Sequence, residues 1–213
     1  MPTILLIRHG ENEYVAKGRL AGRMPGVHLN EKGRQQAEAV AQALKNAPIK
    51  AVYSSPLERC METAQPLTDI LKLEVIPRDG LLEVDFGDWQ DKTLKQLRQR
   101  KLWKFVQGNP ARMEFPGGET FADAQIRIMQ EMEALCKLHG PKEMIACFSH
   151  SDIIRLAVAY YIGTPLDLFQ RIAISPASIS TFHLGEMGVR VINVNHGVSF
   201  GFPHHKAQSK KKR

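Results

Sequence analysis

The residues of this chain best suited to chemistry are Arg8 and His9, which follow directly on the apolar run Ile4-Leu5-Leu6-Ile7 and precede Gly10-Glu11. A guanidinium fixes an anion bidentately, and an imidazole that titrates near neutrality can attack it as a neutral nucleophile. Phosphate is the anion that suits both groups. Two further candidates share this setting. Ser149-His150 ends a second apolar run, Met144-Ile145-Ala146-Cys147-Phe148, and Arg59 lies shortly beyond a third, Ala51-Val52-Tyr53-Ser54. Taken singly, each has an ordinary explanation: a strand end with two solvated polar residues, a helix-surface arginine, a satisfied core histidine. Two arginines and two histidines at three successive junctions of one kind favour a joint role.

The elements that must position these residues alternate between strands and helices. Four aliphatic residues in a row read as a short buried strand, so Arg8 and His9 emerge at its carboxyl end. A loop rich in glycine and arginine follows over 17–27. Asn30 then caps a helix in which Ala37, Val40, Ala41 and Leu44 recur at helical spacing, and Pro48 ends it. The second strand leads through Ser55-Pro56 into a helix over 57–71, with Arg59 in its first turn. Helices are expected over 93–106 and, after the turn Pro116-Gly117-Gly118, over 119–138, where Ile126, Met129, Met132 and Leu135 share one side. The third strand ends at His150, and a helix with Ile153, Ile154, Leu156, Ala157 and Tyr160 follows. Residues 178–184 and 189–194 read as a hairpin around Gly185-Glu186-Met187-Gly188. If the first three strands are parallel neighbours, their four polar residues converge on one sheet edge, where open α/β sheets bind ligands. Helix N-termini at 57 and 151 would add positive dipole ends there.

Composition sets limits on function. At 213 residues and 43% hydrophobic content the chain can bury a sizeable core as one domain, expected over 1–203. No basic segment leads into a long apolar core, and no run approaches the roughly 20 apolar residues of a membrane span. A soluble, unprocessed cytoplasmic protein is expected, with no membrane partner. Cys60, Cys136 and Cys147 are odd in number and widely separated, which suits free thiols in a reducing compartment. The net charge of +7 owes five of its units to Lys206, Lys210, Lys211, Lys212 and Arg213, and removing those five leaves +2. Residues 204–213 therefore read as a basic, disordered tail. With no aromatic residues among its lysines to stack on bases, the tail does not point to a nucleic-acid partner. His204-His205 lacks the further ligands a metal site needs.

Several motifs, in order, resemble the histidine phosphatase superfamily, which includes the cofactor-dependent phosphoglycerate mutases. They are Arg8-His9-Gly10-Glu11, the Leu29–Ala37 helix entry, Ser54-Ser55-Pro56-Leu57-Glu58-Arg59, Leu82–Trp89, Phe115-Pro116-Gly117-Gly118-Glu119 and Ser149-His150, and the resemblance spans nearly all of 3–195. It implies a phosphoglycerate mutase-like α/β fold, a three-layer α/β/α sandwich with a mostly parallel central sheet. It also implies that His9 becomes phosphohistidine while Arg8, Arg59 and His150 hold the phosphoryl oxygens. Glu83 matches the family's proton donor, a role that needs a raised pKa from desolvation by Phe86 or Trp89 and from bound phosphate. From the residues alone, Asp85 and Asp88 would be equally available. Arg19-Leu20-Ala21-Gly22 matches the substrate-contacting loop, which makes Ala21 and Gly22 binding candidates and Arg23 a further anion contact.

Two positions depart from the family pattern. Val15 stands where many members have an asparagine, so that phosphate contact is expected from Asn12 instead. Ser151-Asp152 stand where glycine commonly follows the second histidine, and Asp152 would place negative charge near the pocket mouth unless it turns to cap the helix. His150 follows Glu83 by only 67 positions, a shorter insertion than phosphoglycerate mutases carry. A mutase must shield its phosphoenzyme from water, so the short insertion favours hydrolysis of small phosphomonoesters. No cofactor or metal is expected, since the arginines and histidines replace a cation. The alternatives are a phosphoglycerate-type phosphomutase and, in another class, a non-catalytic module binding a phospho-ligand or nucleic acid. Oligomeric state and natural substrate are not legible.

Overall fold

The structure, a computed structural model, describes residues 2–185 and 188–197. The basic tail, His204-His205 and the tip of the expected hairpin lie outside the described residues. Strand β1 (Thr3–Arg8) is the first apolar run, with Ile4, Leu6 and Ile7 fully buried. Such a strand is covered on both faces, which is why it is continuously apolar rather than alternating. After the single turn α1 (Glu13–Ala16) comes α2 (Glu31–Leu44), whose N-cap Asn30 accepts a hydrogen bond from the Gly33 amide. Next are β2 (Ile49–Ser54), α3 (Glu58–Leu71) and β3 (Val75–Pro77). The short helices α4 (Leu94–Leu97) and α5 (Trp103–Gly108) precede α6 (Phe121–Leu138), which Thr120 caps. The chain closes with β4 (Met144–Ser149), α7 (Ser151–Tyr161), β5 (Ile179–Gly185) and β6 (Gly188–His196).

The six strands form one sheet in the order β3-β2-β4-β1-β5-β6. β3, β2, β4 and β1 run parallel, while β5 and β6 are antiparallel additions on the β1 side. The strands that precede Arg59, His150 and Arg8-His9 are thus immediate neighbours with their carboxyl ends on one edge. Register makes this tight: Arg8 lies opposite Ser149, and the ladder continues one residue further as the His9 amide donates to the Ser149 carbonyl at 3.0 Å. Two cores flank the sheet. Leu5, Ile7, Val52, Ala146 and Phe148 pack with α2 and α3 on one face. Ile4, Leu6, Ile145 and Cys147 pack with α6, α7 and an aromatic cluster on the other. The architecture is a three-layer α/β/α sandwich, and among the described residues no helix is long and apolar enough to cross a membrane.

Several local expectations need correction. The helix expected over 93–106 is broken into α4 and α5, because Arg98 to Lys101 carry no apolar anchor and so short a helix needs tertiary packing to persist. In α6 Phe121, Ala124, Ile128, Met129, Met132 and Leu135 are buried, so of the four expected positions only Ile126, 55% exposed, turns away from the core. The spacing of three that linked Ile126 to Met129 drifts round a 3.6-residue helix, and the buried side combines steps of three and four. Tyr160 likewise turns out from the buried side of α7. β3 had no clear sequence signal, being three residues long, exposed at the sheet edge and ended by proline.

Candidate active site

At the carboxyl edge of the parallel strands lies a cleft of about 290 Å³, and Arg8, His9, Asn12, Ala21, Gly22, Arg59 and Glu83 all contribute to its wall. His150 stands directly behind it, fully buried, with its ring 5.3 Å from that of His9 in an edge-on arrangement. Backbone packing fixes how the chain leaves β1. Gly10 and Gly33 sit against each other so closely that a Cβ on Gly33 would lie 2.0 Å from the Glu11 carbonyl oxygen. Only two glycines allow the segment after His9 to pass over the start of α2.

Hydrogen bonds assign the tautomers of both histidines. The His9 Nδ1–H donates to the Gly10 carbonyl at 2.7 Å, which leaves the Nε2 lone pair for chemistry. Burial and the nearby charges of Arg59 and Arg8 push His9 well below the ordinary histidine range, so it is neutral at physiological pH. His150 accepts at Nδ1 from Arg59 Nη2 (3.2 Å), so its proton is on Nε2, which donates to Ser55 Oγ at 2.8 Å. Burial, then Arg59 and His9, likewise keep His150 neutral. The Cys60 thiol touches His150, yet burial pushes it up to about 12 and leaves it inert.

The two arginines are held by one end only. Arg8 Nη1 donates to the Ile174 carbonyl at 2.7 Å, and Arg59 Nη2 to the Gly22 carbonyl at 2.7 Å, while Arg8 Nε and Arg59 Nε and Nη1 are buried without a partner. Asn12 shows the same pattern. Its Oδ1 caps α1 by accepting from the Val15 amide, and its Nδ2 is buried and unpaired. Buried donors normally find partners, so four orphans around one cleft mark a place where an acceptor binds. The helix ends add to this, because neither Leu57, which caps α3, nor His150, which caps α7, offers a side-chain cap to the free amides. Gly22, at φ 55°, turns its carbonyl to Arg59, and a Cβ there would collide with Gln90.

Glu83 is 8% exposed and its carboxyl is raised to about 7, first by burial and then by Asp152, against the opposing bond from the Val84 amide. Trp89, one expected source of desolvation, is not in the wall of this cleft, whereas Phe86 is. The Asp152 carboxylate does not cap α7 but accepts from Arg155 Nη1 at 2.9 Å, which offsets its charge at the pocket mouth. Arg23 is not a free anion contact. Its Nε donates to the Glu83 carbonyl at 2.8 Å and its Nη2 to Glu119, so it fixes the backbone that carries Glu83. Arg127 does the same from α6, donating to the Leu82 carbonyl at 2.8 Å and to Glu119 at 2.7 Å. Sequence reasoning missed Arg127, Glu119 and Arg155 as members of this assembly; Glu119 stood in a recognised motif, but nothing local to the two arginines signalled their destination. Among the described residues, no three His, Cys, Asp or Glu side chains are grouped to hold a metal ion.

This geometry agrees with the comparisons to known proteins. A family model described as the histidine phosphatase superfamily (branch 1) matches residues 4–197. Phosphoserine phosphatase 1 of Hydrogenobacter thermophilus is 30% identical over 197 residues, covering 92% of each chain. A 2,3-bisphosphoglycerate-dependent phosphoglycerate mutase of Thermoplasma acidophilum is 34% identical over 170 residues, 76% of this chain and 77% of that one. Among solved structures, a phosphoserine phosphatase from Entamoeba histolytica in complex with 3-phosphoglyceric acid superposes with a TM-score of 0.82 at 28% identity, covering 92% of this chain and 97% of that one.

Proposed function

The chain belongs to the histidine phosphatase superfamily, and from that premise we propose that it hydrolyses small phosphomonoesters through a phosphohistidine formed on His9. The observation that carries this reading is the set of unpaired buried donors on Arg8, Arg59 and Asn12 around a neutral His9 with a free Nε2. In the first step His9 Nε2 forms a bond to phosphorus as the ester P–O bond breaks. Glu83, protonated, gives its proton to the departing alcohol oxygen. In the second step Glu83, now a carboxylate, takes a proton from water, whose oxygen attacks phosphorus and releases His9 and inorganic phosphate. Arg8 and Arg59 stabilise the equatorial oxygens throughout, and they are already oriented before substrate arrives.

Phosphorus NMR on a panel of phosphomonoesters, including 3-phosphoglycerate primed with its bisphosphate, tests the reading. Free phosphate released by the wild type and not by His9→Ala is the expected result. Phosphoglycerate interconversion without phosphate release would make the protein a mutase, and binding without any turnover would make it a binding module.

The raised Glu83 carboxyl gives the reaction a pH signature. The acid form is required in the first step, so kcat/KM is expected to be level below pH 7 and to fall about tenfold per unit above it. Neutral His9 keeps the plateau open on the acid side. Glu83→Gln removes the alkaline limb and lowers the rate by about 10²–10⁴-fold. Stability follows the same direction. A carboxyl raised from 4.5 to about 7 on folding contributes stability below pH 4.5 that is lost as pH rises through 7. Urea unfolding at pH 5 and pH 8 is therefore expected to show Glu83→Gln gaining on the wild type at pH 8, by up to about 3 kcal/mol.

A further inference from the structure

A second cavity, of about 270 Å³, adjoins the phosphate cleft, and Leu20, Phe86, Leu94, Asp152 and Arg155 belong to the walls of both. Nine of its fourteen lining residues are apolar, and five of those are aromatic. Trp89 and Trp103 stack with ring centroids 6.3 Å apart, and Phe115 meets Trp89, Phe86 and Phe121 edge-on. Leu97 and Val106 from α4 and α5 fill in between, so the break in the expected helix is what shapes this space. Polar groups enter its wall through Arg98, Gln107 and Gln170, besides the Asp152–Arg155 pair.

Resting on the phosphatase reading, we infer that this chamber receives the leaving group, and that the preferred substrates are phosphomonoesters whose alcohol carries an apolar, ring-bearing body. Three observations support it. The chamber opens on the same stretch of wall as Phe86 and Leu94, beside Glu83, which must protonate the ester oxygen, so a group leaving past Glu83 enters it. Its size decides between ligand classes, since an apolar cavity of about 150 Å³ already holds benzene, and a small polar alcohol such as serine would leave most of this one unfilled. The nine apolar side chains of the wall favour an apolar body, while Arg98, Gln107 and Gln170 leave room for polar substituents on it. The Asp152–Arg155 pair marks the boundary, with the phosphoryl group on one side and the apolar body on the other.

A pair of esters with leaving alcohols of nearly equal acidity separates binding from leaving-group chemistry: propyl phosphate and 3-phenylpropyl phosphate. The expected kcat/KM ratio favours the phenyl ester by about thirtyfold, the amount a fully buried ring supplies. Val106→Trp, which fills the chamber, and Trp103→Asp, which places a charge in its wall at a partly exposed position outside the phosphate cleft, are each expected to bring the ratio close to one. Turnover of propyl phosphate by each variant reports that it is folded, and Trp103→Asp decides the matter should the buried substitution not fold. Both esters turned over equally by the wild type, or a ratio that both variants leave intact, would overturn the chamber while leaving the phosphatase reading in place. Turnover of neither ester nor of any in the phosphomonoester panel would overturn the reading beneath it.

Discussion

His9→Ala is expected to lower kcat/KM for phosphomonoesters by about 10⁵-fold while leaving the affinity for inorganic phosphate or vanadate nearly unchanged. The two halves of this result come from different atoms. Only His9 Nε2 can form the covalent bond, because the other buried imidazole has its Nε2 proton committed to Ser55 and its Nδ1 committed to Arg59. Cys60 cannot substitute, with its thiol pushed up to about 12. Binding, by contrast, depends on the orphan donors of Arg8, Arg59 and Asn12, which the substitution leaves in place. Steady-state kinetics together with the shift in melting temperature on adding vanadate measure the two separately. At a ligand concentration a hundred times Kd, both proteins should gain about 2.7 kcal/mol. Loss of turnover accompanied by loss of that shift would mean that His9 is needed to bind and not to react.

Arg59→Met is expected to cost about 10³–10⁴-fold in kcat/KM, more than any positioning residue, because Arg59 does three things at once. Its Nε and Nη1 are unpaired and face the place of the phosphoryl group, its Nη2 bridges the Gly22 carbonyl to His150, and its charge adds to burial, the larger cause, in keeping both histidines neutral. Methionine keeps much of the volume and none of these. With the guanidinium gone, His9 binds a proton more readily, so the acid limb of the pH profile is expected to move up toward neutrality. That shift separates a loss of electrostatics from a mere loss of shape. The charge is also 99% buried without a carboxylate partner, so the methionine variant is expected to unfold at no lower a temperature than the wild type when no phosphate is present. Phosphate should then stabilise the wild type and leave the variant unmoved.

The scaffold was largely legible because its signal is local. Uninterrupted apolar runs at 4–7 and 144–148 could only be strands covered on both faces, and parallel pairing through β4 then forced their polar ends together. The placement of Arg8, His9, Arg59 and His150 follows from that one constraint. Arg23 was misread as an anion contact and Arg127 was missed because their roles depend on partners far along the chain: Arg127 reaches carbonyls 45 and 47 residues away, and a helix position alone carries no trace of it. Ile126 was misjudged for a different reason, since a three-residue step resembles a helical face over one turn and leaves it over two. The aromatic chamber was invisible for the same reason as the break between α4 and α5. Apolar residues at both ends of 93–106 read as one helix, while 98–101 between them carry no apolar anchor and Leu97 and Val106 pack into the core as parts of two short helices.

The central claim is that His9 carries the phosphoryl group, and one measurement addresses it most directly. The protein is mixed with a phosphomonoester, quenched in alkali within its first turnovers, digested, and the peptide containing His9 is weighed. The account predicts a peptide heavier by one phosphoryl group, stable to base and labile to acid, formed in the wild type, formed more slowly in Glu83→Gln and absent from His9→Ala. Phosphate released from substrate by the wild type with no phosphoryl group ever found on His9 would contradict it.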